Sequence, residues 1–457
     1  MVSRLAIKHN MENKNFCILP WLHLQMKPNG QVKPCCRFNH KHEEYLEIEN
    51  EIKSFNINTN NFHDIFYSDF WKKLRKDMME NKSIPGCEKC DSKSEYSMRS
   101  SANREWNKHF DYFPIADNIN PEFKFLELTT GRYCNLKCRT CSSDLSTTWE
   151  EDDKLIQNLY TDPLNKGYRK SFEHNPIINL HNKNIDYSKI KLIKLTGGES
   201  MITPSFIPFV NDIIDSGNAQ HIFLEIYTNS SWIPSKKILD KLKKFMFVKI
   251  ILSIDGIKKV NDYIRYPSVW KTVETSVDKW IKFSQTNENF CIIMSPTINI
   301  YNILQFKDIF FWWHNKQEYF FPGKNYLFTK TNVEKNLPPY CVINVGRFHF
   351  TPLTTPKYLN CNILPEYYKQ ICIDNINEVS NFIKKQVKTN DDLIQYQLKK
   401  KVFDRIIQVL KQKPSDNLQN FVNFTVDLDK IRTQDIRVSI PDLWNIIKKD
   451  VVYEGLL

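Results

Sequence analysis

The chain has 457 residues, a formal charge of +12, 41% hydrophobic and 25% charged residues. That length and apolar content suit two or three domains, and the many Phe and Tyr residues can fill more than one core. No apolar run reaches the length of a bilayer span; the densest stretch, Asp308-Ile309-Phe310-Phe311-Trp312-Trp313, is far too short, and no basic segment leads into an apolar one at the start. The expectation is therefore a cytoplasmic protein with no membrane association, whose cysteines stay reduced and free to act as thiolate ligands. The positive charge is compatible with nucleic acid, an anionic nucleotide or an acidic peptide and does not choose among them. Lysines are scattered among Asn and Ile, and the longest basic run, Lys399-Lys400-Lys401, reads as the solvated face of a helix, so nucleic acid is not the favoured partner. There is no internal repeat at a solenoid period.

In chain order, the first feature is a set of cysteines: Cys17, then Cys35 and Cys36, then Cys87 and Cys90. Residues 17–35 read as two short strands around Pro28-Asn29-Gly30, a hairpin that brings Cys17 toward Cys35. The turn Ile84-Pro85-Gly86 can deliver Cys87 and Cys90. Cys36 is an alternative to Cys35, and His23 or His40 an alternative ligand. At this level the set fits either a structural zinc ion or an iron–sulfur cluster.

The second feature is Tyr133-Cys134-Asn135-Leu136-Lys137-Cys138-Arg139-Thr140-Cys141. Three thiolates at this spacing suit an iron–sulfur cube with one iron left open, whereas structural zinc normally takes four protein ligands and nothing close in sequence supplies the fourth. The third is Leu195-Thr196-Gly197-Gly198-Glu199-Ser200, a strand running into a bend without side chains. The chain has only eleven glycines, well under the ~7% average, so an adjacent pair stands out. Two glycines let backbone polar groups approach a ligand closely, and the neighbouring carboxylate can pair with a cationic group on it. Cys291, Cys341, Cys361 and Cys372 lack ligand spacing and read as core thiols.

Strand-like runs occur at 123–129, 190–195, 222–228, 248–254, 292–298 and 326–331, with amphipathic helical stretches such as 235–247 and 270–283 between several of them. This alternation predicts an α/β fold with a parallel sheet. The cysteine loop, Gly197-Gly198-Glu199, Thr228-Asn229 and Ser253-Ile254-Asp255-Gly256 then all fall at carboxyl ends of strands, where they would line one mouth. Residues 365–387, 391–411 and 418–430 show helical spacing, with Pro414-Ser415-Asp416-Asn417 as a break. The alternating charges from Asp427 to Asp435 read as surface pairs, with Tyr340, His349, Asp427 and Asp429 able to approach a substrate.

The cysteine loop and the Gly-Gly-Glu bend together resemble the radical S-adenosylmethionine (SAM) superfamily. The resemblance implies a partial (β/α)6 TIM-like barrel over 121–335, a Cys-rich region over 1–120 and a mainly helical region over 336–457. It implies that Cys134, Cys138 and Cys141 hold a [4Fe-4S] cluster whose open iron chelates SAM, and that Gly197, Gly198 and Glu199 hold the SAM amino group. Asn229 and Ser253 become candidates for its ribose or carboxylate, and Arg265 for its carboxylate. Thr140 departs from the family, which usually has an aromatic residue there to cover the adenine. The N-terminal cysteines resemble the SPASM or twitch modules of the superfamily, which implies an auxiliary [4Fe-4S] cluster on Cys17, Cys35, Cys87 and Cys90, although such modules usually follow the barrel. The implied chemistry is reductive cleavage of SAM to a 5′-deoxyadenosyl radical that abstracts hydrogen from the substrate, fed by an electron donor such as flavodoxin or ferredoxin. A peptide or protein residue is the favoured substrate, giving an oxidation or a cross-link; a sugar, aminocyclitol or nucleotide derivative is the alternative. A zinc-stabilised nucleic-acid-binding protein is the competing reading of another class.

Overall fold

The computed structural model describes residues 13, 15–39, 55–90, 121–159, 178–181, 183, 185–322, 327–328, 347–413 and 416–451. His40, Tyr340 and Cys341, the stretch 91–120 and Pro414-Ser415 lie outside the described residues.

One seven-stranded sheet organises the molecule, in the order β2-β1-β3-β4-β5-β6-β7. Its strands are β1 (His23–Met26), β2 (Val32–Lys33), β3 (Phe125–Thr129), β4 (Leu192–Thr196), β5 (Phe223–Thr228), β6 (Phe247–Leu252) and β7 (Phe290–Met294). Apart from the antiparallel β1–β2 pair, every neighbouring pair is parallel. This is the expected α/β fold with a largely parallel sheet. Parallel strands need crossovers, and helices supply them: α2 (Trp149–Leu159), α3 (Phe206–Asp215), α4 (Lys236–Leu242) and α5 (Trp270–Thr286) fall between successive strands, after the N-terminal α1 (Asp69–Met79).

Strands β3 to β6 present two chemically different faces. Leu126, Leu128, Ile193, Leu195, Leu224, Ile226, Val248, Ile250, Ile292 and Met294 are fully buried and make the apolar face. The register puts Gln25, Glu127, Lys194, Glu225, Lys249 and Cys291 side by side at one level of the other face. Its charges alternate and pair: Lys194 lies 3.2 Å from Glu127, and Lys249 2.7 Å from Glu225. Burial opposes ionisation of Glu127, yet the neighbouring His23 and Lys194 outweigh it and hold its carboxyl down at about 2. One level below, the Phe223 and Phe247 rings stack with centroids 5.6 Å apart.

The seven-stranded sheet crosses the first expected domain boundary, and a separate two-stranded sheet crosses the second. The predicted hairpin forms, with Gly30 in the left-handed region (φ 82°) at its turn, but β1 also pairs in parallel with β3, so the N-terminal region extends the parallel sheet directly. At the far edge, β8 (Thr297–Ile298) pairs with β9 (Thr351–Pro352), and Met294 bridges to Phe348. The place expected for residues 326–331 is thus taken by 348–352, while Leu327 and Phe328, the described members of that run, sit in a turn. The later helices are α6 (Phe306–Phe320), α7 (Glu366–Lys385), α8 (Asn390–Leu410) and α9 (Leu418–Arg432). The N-terminus of α8 has a capping box between Thr389 and Asp392. Lys399, expected on a solvated face, is instead buried on α8 with its ammonium 4.4 Å from the Phe348 ring centroid, while Lys400 pairs with Asp404 at the surface.

Candidate cluster and cofactor sites

The cysteine loop leaves β3 and closes against the bend that leaves β4. Gly198 N–H donates to Gly131 at 3.1 Å and Glu199 N–H to Tyr133 at 2.8 Å. Both glycines are demanded by this approach. Gly197 has a φ of 115°, and a Cβ there would lie 2.5 Å from the Gly131 oxygen; a Cβ at Gly198 would overlap the Tyr133 carbonyl.

Within the loop, Cys138 is buried and Cys134 and Cys141 partly so. The three thiols lie within electrostatic reach of one another: burial first, and then the other cysteines, push up the Cys141 thiol, and burial and Cys138 push Cys134 up to about 11. Cys134 Sγ accepts from the Leu136 N–H at 3.4 Å and faces Asn229 Nδ2 at 3.8 Å. Among the described residues, no three His, Cys, Asp or Glu side chains are gathered as ligands of a single metal ion.

The other predicted residues surround this loop. Asn229 is buried, and its side chain bridges Cys134 and Asn135. Ser253 follows β6, its N–H bonded to Thr228 O at 2.8 Å. Arg265 lies within electrostatic reach of Cys138 and Cys134, with one arm on Asp255. Its Nε is a buried donor with no partner among the described residues. A buried N–H left unmatched costs about 1–3 kcal/mol, so this donor fits an anionic ligand group such as a carboxylate. Glu199 is the remaining candidate. Its carboxylate is fully buried and accepts from Thr228 Oγ1 at 2.8 Å and Asn229 N–H at 2.6 Å, so it braces the mouth from within; burial raises it to about 7.

Sequence reasoning missed the supports. Asp255 anchors Arg265 and accepts from the Thr297 N–H; Ser146 and Thr148 donate to the Leu136 carbonyl, and Trp149 to that of Cys138. It also misread Asp429, which is a buried partner of Arg139 and Tyr263 and no surface charge. The Lys-Cys-Arg triplet inside the loop, opposite the late acidic run, was the available signal.

At the second site, Cys17, Cys35, Cys87 and Cys90 line one pocket with Leu19, Pro20, Pro34, Phe38, Leu74 and Met78. Three chain segments deliver them, the last through the Gly86 turn (φ 85°). Burial, then Cys17, pushes up the Cys35 thiol. Cys36 does not line the pocket and is exposed toward Glu127 and Lys194. His23 is turned to Pro34 O and Glu127. Four thiols in an apolar shell fit a cluster, whose binding would displace their protons.

Residues 17–91 match the family model described as SPASM, an iron–sulfur cluster-binding domain. The matched stretch makes up 75 of the 457 residues. It contains all four pocket cysteines and precedes the main run of parallel strands in the chain. Similar solved structures include anSMEcpe with bound AdoMet and Cp18Cys peptide (15% identity, TM-score 0.30, covering 56% of this chain and 60% of that one). Another is Streptococcus suis SuiB bound to precursor peptide SuiA (14% identity, TM-score 0.28, covering 58% of this chain and 52% of that one). The chain therefore spans less than two thirds of those proteins. No curated protein matches it. Among the described residues, no helix is long and apolar enough to cross a membrane.

Proposed function

We propose that the chain is a radical SAM enzyme with an auxiliary cluster, acting on a peptide or protein residue. The observation that carries the reading is the interlock of the two loops: Glu199 N–H on Tyr133 O joins the Gly-Gly bend to the three-cysteine loop at the mouth of a polar-lined partial barrel, with the Arg265 Nε donor unmatched beside them.

In this reading Cys134, Cys138 and Cys141 hold a [4Fe-4S] cluster, the Gly197-Gly198 backbone receives the SAM amino group, and Arg265 receives its carboxylate. Asn229 and Ser253 border the ribose. Cys17, Cys35, Cys87 and Cys90 hold the auxiliary cluster of the SPASM domain. When bound, cluster and SAM supply an electron and a 5′-deoxyadenosyl radical for hydrogen abstraction. The chain's own part is to orient and to exclude water. Thr228 and Asn229 hold the Glu199 carboxylate inward, leaving the bend's backbone to face the ligand. The inner face, with Glu127, Lys194, Glu225 and Lys249 at one level, offers donors and acceptors of both signs, which suits the amides of a peptide.

Anaerobically reconstituted protein reduced with dithionite, standing in for flavodoxin or ferredoxin, should convert SAM to 5′-deoxyadenosine, and Cys138→Ala should abolish the conversion. Undiminished product from Cys138→Ala would sink the assignment.

A further inference from the structure

The residues on both sides of Cys138 are basic, and both are tied down. Lys137 Nζ reaches Asp152 Oδ1 at 2.7 Å. Arg139 has no exposed surface; it binds Asp429, Gln434 Oε1 at 3.0 Å and Thr425 O at 3.4 Å, with its guanidinium 3.7 Å from the Tyr263 ring centroid. Arg432, on the same face of α9 as Asp429, donates Nε to the other oxygen of Asp152 at 2.7 Å. It also packs 4.6 Å over the Trp149 ring, and Trp149 Nε1 donates to the Cys138 carbonyl at 2.8 Å. A closed circuit therefore runs from Lys137 through Asp152, Arg432 and Trp149 back to Cys138, with a second tether from Arg139 to Asp429. Docking of α9 alone does not require this. Phe421, Phe424 and Leu428 already bury an apolar face, and buried ion pairs are at best a weak source of stability compared with apolar packing. What the charges add is convergence on three consecutive residues of the loop.

We propose that α9 is a positioning element for the cysteine loop: Asp429 and Arg432, about 290 and 280 residues away from their partners Arg139 and Asp152 in sequence, hold Cys138 in its ligating place. This rests on Cys138 being a cluster ligand.

The test compares Asp429→Asn, Asp152→Asn and the conservative Asp429→Glu. In metal-free protein, hydrogen exchange should show the Lys137 and Arg139 amides, bonded to Tyr266 O and Ile264 O, losing protection about tenfold in both Asn variants while β6 keeps its own. In reconstituted protein the same variants should release iron to a chelator about tenfold faster and broaden the SAM-sensitive EPR signal of the reduced cluster, with Asp429→Glu recovering most of both. Unchanged loop protection, or a loss shared equally by β6, would overturn the inference. If Asp429→Asn does not fold, Lys137→Gln, at a side chain that is 17% exposed, gives the same readout. A wild-type protein that takes up no iron on Cys138 would defeat the proposed function, whereas the exchange result on metal-free protein decides the role of α9 separately.

Discussion

The Tyr133 carbonyl accepts the Glu199 N–H at 2.8 Å. Through this bond two loops leaving adjacent parallel strands, one with the thiols and one with the glycine pair, become a single rim. The chemistry proposed for the molecule depends on that closeness, because a ligand held by one loop must meet the backbone of the other.

Gly198→Ala should open the rim. Its methyl would overlap the Tyr133 carbonyl, and overpacking of this kind costs roughly 1–3 kcal/mol. The expected outcome is a lower melting temperature together with a large loss of 5′-deoxyadenosine formation; a variant with both unchanged would show that the contact is dispensable.

Iron content should separate the two adjacent N-terminal thiols. Cys35 lines the pocket and Cys36 does not. Cys35→Ala should lower iron from ~8 to ~4 atoms per chain, while Cys36→Ala should leave it unchanged. Equal losses in the two variants would contradict the pocket.

Glu199 should impose a pH dependence on the stability of metal-free protein. Its carboxyl is raised from the ordinary 4.5 to about 7, so the folded state favours the proton. The contribution is fully present below pH 4.5 and is lost as pH rises through 7, a fall on the order of 3 kcal/mol across that window. Urea melts at several pH values should show this decline in the wild type and a flatter profile in Glu199→Gln.

Arg265→Met should weaken SAM binding without unfolding the barrel. A hydrogen bond to a charged group is worth about 1.5–3 kcal/mol, so the dissociation constant should rise on the order of tenfold to a hundredfold. Equilibrium dialysis with reconstituted protein measures it, and unaltered affinity would remove Arg265 from the site. Asp255→Asn, which frees the other arm of Arg265, should produce a smaller loss.

Much of the fold was legible because parallel strands buried on both sides must be short and largely apolar, and runs such as 222–228 and 248–254 announce themselves within a residue or two. The hairpin around Gly30 and the helices α7, α8 and α9 were equally plain, for turn chemistry and helical periodicity are local. The strand at 351–352 was not: two residues containing a proline carry no pattern, and only pairing with Thr297 and Ile298 makes them a strand. Lys399 and Asp429 were misread for a related reason. Charge spacing along a helix shows which residues share a face but not what that face meets.

The local chemistry was written in the sequence by itself: two cysteine sets, a glycine pair, alternating strands and helices, and the turns that aim them, all short-range features that need no partner to be read. Tertiary structure decided what faces what. It put Tyr133 against Gly198, joined the N-terminal cysteine region to the main parallel sheet through β1 and β3, turned the Glu199 carboxylate inward and brought Asp429 to Arg139. Such long-range pairings form only when burial of the whole core compensates the entropy of closing the chain between them, and no spacing along the chain encodes that sum.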